Sequence, residues 1–432
     1  MLHQPTPQYS DRAPFTKEVA LTARGSKIPC RVCAGVEVQL FLDLGETALA
    51  NQFLRSDEID AEEVKYPLRV GFCHGCGHVQ LLDTVPPLTM FENYLYISSA
   101  SETLKRHFDQ LSGELAARYR LGPADLVIDI GCNDGTLLSA FKRRGARALG
   151  VDPAENLSVF AHAQNIDRYT GLFSSQAARE IVSGWGPASL ITATNTFPHI
   201  QDLDDFVAGV LVVLRPGGAL VLEMHYLLDL IEQLAFDTIY HEHVSYWALG
   251  PIRRLFEKHG MSIVDAERVP LHHGQLRVHV QRQGEARPSD RLERLLEAEK
   301  AAGLDRFETY PNFAARVHAI KTQLHAAVAA LKSQGRRLAG YGAPAKGNTL
   351  LSFLEFGPGD LPYIVDRSPL KQGRFTPGTH IPVVGPERLL IDQPDYVLLL
   401  AWNFVDEIVE QQAEYRKRGG KFMLPVPEVR IV

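Results

Sequence analysis

Residues 126–152, LVIDIGCNDGTLLSAFKRRGARALGVD, constrain the fold more than any other stretch. Residues 127–130 form a short apolar run, as expected of a buried parallel strand. A turn, Asp129-Ile130-Gly131-Cys132-Asn133-Asp134-Gly135, follows, and residues 136–144 have helical character. A second apolar run at 148–151 ends in Asp152. Strand, glycine turn, helix and strand make one βα unit of an α/β fold. The glycines let a ligand approach the backbone closely, and a carboxylate after the second strand can hydrogen-bond a ribose diol. The spacing is not the dinucleotide G-x-G-x-x-G pattern.

At 432 residues the chain exceeds one ordinary core, so two or three domains are expected. A hydrophobic fraction of 45% and a charged fraction of 22% describe a soluble globular protein. The formal net charge of −6 gives no electrostatic reason to expect nucleic acid or an anionic membrane as partner. No apolar run reaches the length of a membrane span. The first residues, MLHQPTPQYSDRAPF, lack the apolar segment of a secretory signal. A cytoplasmic location is the expectation.

Four of the five cysteines form two pairs, Cys30-x-x-Cys33 and Cys73-x-x-Cys76; the fifth is Cys132 in the glycine turn. In a large reducing-compartment chain such knuckles point to a structural metal rather than to disulfides. Four thiolates make a closed tetrahedral zinc site. A redox dithiol pair is the competing reading. Strands at 38–44 and 68–71 are expected between the knuckles; His74 and His78 could substitute as ligands, although a histidine flanking a zinc knuckle is more often a bystander. A unit of about 85 residues gains folding free energy from the metal.

Pro86-Pro87 then breaks the chain. The aromatic and hydroxyl-rich segment 91–101, which includes Tyr94, has no clean period and is either a lid over a site or a packed connector. Residues 102–119 have helical spacing. The βα pattern resumes with a strand at 190–193 ending in Thr194-Asn195-Thr196-Phe197-Pro198-His199. Ligands of doubly wound sheets sit at such strand ends, which makes Asn195 and His199 site candidates. A helix ends near Pro216, and a strand covers 219–224. Residues 236–246, FDTIYHEHVSY, concentrate two histidines, a glutamate and two tyrosines. The H-E-H spacing excludes a helical metal pair. On an extended segment His241 and His243 share one face, and Tyr240 and Glu242 the other. Such a set suits acid–base chemistry, with histidine the acceptor near neutral pH. The stretch from His273 through Gln275 and Arg277 reads as a strand.

Helices are expected over 291–332. A strand at 337–341 then runs into Gly340-Tyr341-Gly342-Ala343-Pro344-Ala345-Lys346-Gly347-Asn348-Thr349. Backbone amides at a helix start, with Lys346 beside them, make an anion or diphosphate site; the competing reading, a duplicated scaffold with one dead site, is disfavoured by Lys346 in the turn. Strands at 363–366, ending in Asp366, and at 396–401 complete a second Rossmann-like unit.

The D-x-G-x-x-x-G turn with Asp152 resembles the first two motifs of class I S-adenosylmethionine-dependent methyltransferases, and Arg215-Pro-Gly-Gly-Ala-Leu-Val-Leu-Glu223 resembles a later one. The whole chain resembles the three-domain sugar C-methyltransferases, which act at C3 of nucleotide-linked 4-keto-deoxysugars. The carrying features are the zinc knuckles, Y-x-Y-x-S-S-x-S, D-I-G-C-N-D-G, N-x-x-x-H-I, F-D-x-I-Y-H-E-H-x-S-Y and G-Y-G-A-x-A-K-G-N-T.

The resemblance implies an α/β fold: a zinc-binding domain (1–85), a class I methyltransferase core (86–290) and a C-terminal Rossmann-like domain for the sugar nucleotide (291–432). It implies S-adenosylmethionine at Asp129, Gly131, Asn133, Gly135, Asp152 and Asn195, and structural zinc at Cys30, Cys33, Cys73 and Cys76. His243 matches the family's base. Tyr94, His199, Tyr240 and Glu242 match its other active-site positions, Tyr240 and His199 being candidates for enolate stabilisation. Gly342, Lys346, Asn348, Asp366 and Arg277 are the expected substrate contacts. Gln275 departs from the serine common in related chains. The substrate implied is a dTDP- or GDP-type keto-sugar, and an unstable keto product implies a downstream ketoreductase. The rivals are an O- or N-methyltransferase, a non-catalytic nucleotide binder, and a nucleic-acid binder acting through the zinc module. The acidic net charge and the lack of a basic stripe near the knuckles count against the last.

Overall fold

The computed structural model describes residues 28–92, 94, 96–271 and 274–432. His272 and His273 of the polar stretch, and Asn93 and Leu95 of the aromatic one, lie outside these residues.

An N-terminal antiparallel sheet holds β1 (Val38–Thr47), β2 (Tyr66–Cys73) and β3 (Val79–Leu81). The expected strands between the knuckles are therefore present and longer than the apolar runs alone suggest.

The middle unit carries β4 (Leu126–Ile130), β5 (Arg147–Asp152), β6 (Asp167–Thr170), β7 (Ala188–Thr194), β8 (Leu214–His225), β9 (Ser245–Tyr246), β10 (Met261–Val269) and β11 (Gln275–Arg282). Its sheet runs β10-β11-β8-β7-β4-β5-β6, parallel except for the β10-β11-β8 end. β9 leaves this unit and pairs with β3, so the N-terminal sheet has order β1-β2-β3-β9. All five residues of β4 are buried, which explains why it reads as an uninterrupted apolar run. The chain reverses its winding between β4 and β7, and a ligand crevice is expected at their carboxyl ends. Helices start where the sequence offers short polar caps: Ser101 accepts from the Leu104 amide, Ser174 from Ala177 and Asp202 from Asp205.

The C-terminal sheet holds β12 (Leu338–Tyr341), β13 (Ile364–Val365), β14 (Val383–Val384), β15 (Tyr396–Leu399), β16 (Lys421–Leu424) and β17 (Arg430–Ile431), in the order β14-β13-β12-β15-β16-β17. It is parallel apart from β17. Its winding reverses at β12 and β15, which places the second glycine turn and Trp402 on one crevice.

The helix Asp290–Ala302 docks on the middle sheet: Arg291 pairs with Asp265, and the buried Glu299 accepts from the Leu249 amide at 2.7 Å. The long helix Thr309–Ser333 then leads to the C-terminal sheet and packs Tyr310 on Phe72 of the N-terminal sheet, ring centres 4.8 Å apart. One apolar core therefore joins residues of all three regions. Among the described residues no helix is long and apolar enough to cross a membrane.

Candidate active site

The four cysteine sulfurs lie within 4.8 Å of one another, with Cys30 to Cys76 at 3.5 Å and Cys33 to Cys73 at 3.6 Å. Zn–S bonds of about 2.3 Å in a tetrahedron require sulfurs about 3.8 Å apart, so the set fits the ion. No disulfide joins them. His74 bonds Gln39 and His78 bonds Ser245, and among the described residues the group placed to hold an ion consists of the four cysteines without either histidine. Cys132 is a packing residue: a Cβ on Gly150 would meet its sulfur at 2.4 Å.

The first glycine turn forms a cradle after β4. Gly131 has φ +75°, and a Cβ there would lie 2.0 Å from Thr196 Oγ1, so only glycine fits. Asn133 adopts φ +53°, and its amide donates to Asp152 Oδ2 at 2.8 Å. Gly135, at φ +81°, opens the helix Thr136–Arg143. Asp129 accepts from Thr192 Oγ1 at 2.7 Å, and burial pushes its carboxyl up to about 7. Asp152 also accepts from the Ala154 amide and pairs with Arg168. Asn195, at φ +57° after β7, accepts from Gln275 Nε2 at 2.8 Å. The aromatic segment closes over this turn: the Ser98 amide donates to Asn133 Oδ1, the Ser99 amide to Asp134, and Asn133 Nδ2 to the Tyr96 carbonyl. Backbone amides at a helix start, a bare glycine and a ribose-competent carboxylate fit a nucleoside-bearing methyl donor.

Residues 240–243 make a tight turn, with the His243 amide donating to the Tyr240 carbonyl at 2.9 Å. This corrects the extended-segment expectation for their faces. His241 turns toward the N-terminal sheet, where its Nε2 lies 3.1 Å from the Pro67 carbonyl. His243 turns the opposite way and shares its side with Tyr240, ring centres 4.1 Å apart. His243 Nδ1 lies 2.7 Å from the Thr238 carbonyl, an acceptor only, so Nδ1 carries the proton and Nε2 is the ring's basic atom. Burial holds His243 down to about 4, which keeps the ring neutral and able to accept. His199 stacks on it at 5.1 Å and on Phe91 at 5.0 Å. Among the described residues the buried Nε2 of His199 has no hydrogen-bond partner.

Glu242 accepts from Tyr94 OH at 3.0 Å and Asn51 Nδ2 at 2.6 Å. Burial raises its carboxyl to about 7, against those two donors and Lys371. Burial also raises Tyr94 and Tyr240 well above the usual phenol range. The cluster thus draws on the N-terminal region, the connector and the middle unit.

On the C-terminal side, a Cβ on Gly342 would meet Ala401 at 2.6 Å, and φ there is +85°. Lys346 stands 5.0 Å over the Trp402 ring, and Trp402 Nε1 donates to the buried Asp237. Burial lowers Lys346, with Asp237 acting in the opposite sense. Asn348 donates to the Ala50 carbonyl, and among the described residues its buried Oδ1 has no partner. Asp366 ties the turn together, accepting from the Ala343 and Ser368 amides. It is thus a brace of the crevice.

Arg277 does not join this crevice. It lies on β11 directly opposite Glu223 and bonds Glu223, Glu114 and Glu267. Its guanidinium is engaged by carboxylates, with His107 on the other oxygen of Glu223 at 2.5 Å. Sequence reasoning missed Asn51 and Lys371. The latter is a buried amine that donates to the Ala343 carbonyl and stands over the Phe53 ring.

Three family models match in succession: "Putative zinc binding domain" over residues 30–91, "Methyltransferase domain" over 99–266 and "C-methyltransferase C-terminal domain" over 270–427. The chain is 34% identical over 406 residues to C-methyltransferase NovU of Streptomyces niveus, covering 93% of this chain and 96% of that protein. It is 34% identical over 107 residues to a ubiquinone biosynthesis O-methyltransferase of Methylobacterium sp. (strain 4-46), covering 23% of this chain and 43% of that one. Among solved structures, the magnesium protoporphyrin IX methyltransferase of Synechocystis PCC 6803 with bound SAH aligns at 16% identity and a TM-score of 0.33, over 41% of this chain and 83% of that one.

Proposed function

The chain belongs to the S-adenosylmethionine-dependent C-methyltransferase family, and we propose that it methylates C3, the carbon beside the ketone, of a nucleotide-diphosphate-linked 4-keto-deoxysugar. The observation that carries this reading is His243, a buried neutral imidazole whose protonated Nδ1 is fixed on a backbone carbonyl. Oxygen and nitrogen nucleophiles already carry a lone pair, whereas a carbon next to a ketone must first lose a weakly acidic proton. His243 Nε2 removes that proton, and general-base action of this kind contributes on the order of 10²- to 10⁴-fold. The Tyr240 and His199 rings pack against the His243 ring, and His199 Nε2 has no partner among the described residues, so a phenol and an imidazole stand where they can stabilise the enolate oxygen. Glu242, held by Tyr94 and Asn51, orients the turn that carries them.

S-adenosylmethionine supplies a methyl group already activated on a sulfonium, so the protein's remaining task is alignment. Gly131, Asn133, Gly135, Asp129, Asp152 and Asn195 are the residues that would hold it, and Gln275 fixes Asn195. The zinc cluster of Cys30, Cys33, Cys73 and Cys76 is closed and outside the chemistry. Gly342, Lys346 and the start of the helix Ala345–Leu354 suit the diphosphate, with Asn348 and Asp366 supporting the turn. The product keeps its reactive ketone, which makes a ketoreductase the natural next enzyme.

The test is product identity. The protein is incubated with ¹³C-methyl-labelled S-adenosylmethionine and a panel of dTDP- and GDP-4-keto-deoxysugars, and the product is read by carbon NMR. A labelled methyl bonded to C3 is expected. Label on oxygen or nitrogen overturns the reading.

A further inference from the structure

The cysteine knuckles send polar side chains away from themselves, toward the catalytic turn. Arg31 stands between Cys30 and Cys33. Its Nη1 donates to the Leu81 carbonyl at 2.9 Å and to the Val244 carbonyl at 3.3 Å. Its amide donates to the buried Gln80 Oε1 at 2.9 Å, and Gln80 Nε2 returns a bond to the Pro29 carbonyl at 3.2 Å. Val244 follows His243 directly. The Leu81 amide donates to the same Val244 carbonyl at 3.0 Å, and the Val244 amide donates to Pro198, the neighbour of His199, at 2.9 Å. From the second knuckle, His78 places Nε2 3.1 Å from Ser245 Oγ and its ring 4.7 Å from Trp247. The Val79–Tyr246 and Gln80–Ser245 pairs of β3 and β9 complete the clamp.

Cys30 and Arg31 belong to one knuckle, and Cys73, Cys76 and β3 to the other. The Arg31–Gln80, Gln80–Pro29 and Arg31–Leu81 hydrogen bonds already cross between the two, and bonds from four sulfurs to one ion would fix the relative position of the halves they connect. The chain leaving His243 is gripped by both halves at once, and a misplacement of about 1 Å at a reacting group can cost on the order of 100-fold in rate.

We propose that Arg31 is a positioning residue for His243, and that metal occupancy of the four-cysteine cluster is transmitted through Arg31 and β3 to the catalytic turn. The activity readout rests on the function proposed above; the structural readout does not. Hydrogen-exchange mass spectrometry on the full chain compares zinc-loaded wild type, chelator-stripped wild type, and zinc-loaded Arg31→Met and Arg31→Lys. Zinc content and S-adenosylmethionine affinity are measured alongside. Arg31→Met is expected to keep stoichiometric zinc and to bind the methyl donor within about twofold of wild type, while amides of 240–247 exchange roughly tenfold faster or more. Its kcat is expected to fall about 10- to 100-fold with KM little changed, and Arg31→Lys, which can reach one carbonyl, recovers part of the loss. Stripping zinc is expected to release 240–247 in the same way while 126–152 stay protected. Wild-type exchange at 240–247 in zinc-loaded Arg31→Met overturns the proposal, and so does an equal rise at 126–152, which signals global loosening. If Arg31→Met fails to hold zinc, Arg31→Lys decides on the same criteria. Loss of protection at 240–247 in a protein that methylates no keto-sugar supports the clamp and defeats the function reading.

Discussion

The glycine-turn cradle proposed for the cofactor and the cluster proposed for proton transfer are built by opposite means. The cradle is mainly local: Asp129 to Asp152 lie within one βα unit, the Asn133 amide reaches Asp152 across nineteen positions, and Asn195 after β7 is the distant member. The proton-transfer cluster is assembled from afar. Asn51 reaches Glu242 across 191 positions and Tyr94 reaches it across 148. A local cradle folds with its own turn, whereas a distributed cluster exists only when three regions dock. The two should therefore fail separately.

The largest expected separation comes from Gly131→Ala. Its Cβ would lie 2.0 Å from Thr196 Oγ1 at φ +75°. Strain of about 3 kcal/mol corresponds to an S-adenosylmethionine affinity weakened on the order of 100-fold. Calorimetry measures this, while substrate α-proton exchange with solvent should stay near wild type. Loss of both together would mean that cradle and cluster are one unit.

Glu242→Gln tests the opposite side. Tyr94 and Asn51 both donate to Glu242, and the ionised carboxylate accepts both, so the ionised form is the organised one. With its carboxyl at about 7, wild-type kcat/KM should rise with pH through about 7. Protonation below that point releases an acceptor. His243, near 4, is already neutral across this range and adds no limb there. The glutamine variant should lose the limb near 7 and run roughly 10-fold or more below the wild-type plateau, with donor affinity unchanged. A limb that survives belongs to another group.

Asn51→Ala is the finest probe. Removing one donor disfavours the Glu242 carboxylate, so the same limb should move up by about half a unit to one unit, with the high-pH plateau nearly intact. A pH–rate profile shows it. An unmoved limb would detach the N-terminal region from the proton-transfer cluster.

The same contrast explains what could be read from the residues alone. The cradle was legible because its glycines, apolar runs and terminal carboxylate occur in order. The α/β architecture followed from repeated strand–turn–helix spacing, whereas the strand orders with their reversals of winding come from the fold alone. The cysteine quartet was legible from paired spacing, although β1 and β2 extend past their apolar runs. The faces of 240–243 were misread because a turn closed by the His243 amide replaces the extended form; local sequence does not distinguish them. Arg277 was expected as a substrate contact but stands opposite Glu223 in the strand register, a cross-strand partner invisible without the sheet order. Asn51 and Lys371 carry no motif, and their roles arise only where domains meet.

The most direct measurement of the central claim is deuterium exchange at the sugar's C3, followed by proton NMR in deuterated water with the keto-sugar alone. Wild type is expected to wash the proton out without S-adenosylmethionine, and His243→Ala to lose that exchange by about 10²-fold or more while still binding the methyl donor. Exchange that persists unchanged in His243→Ala would contradict the assignment of His243 as the base.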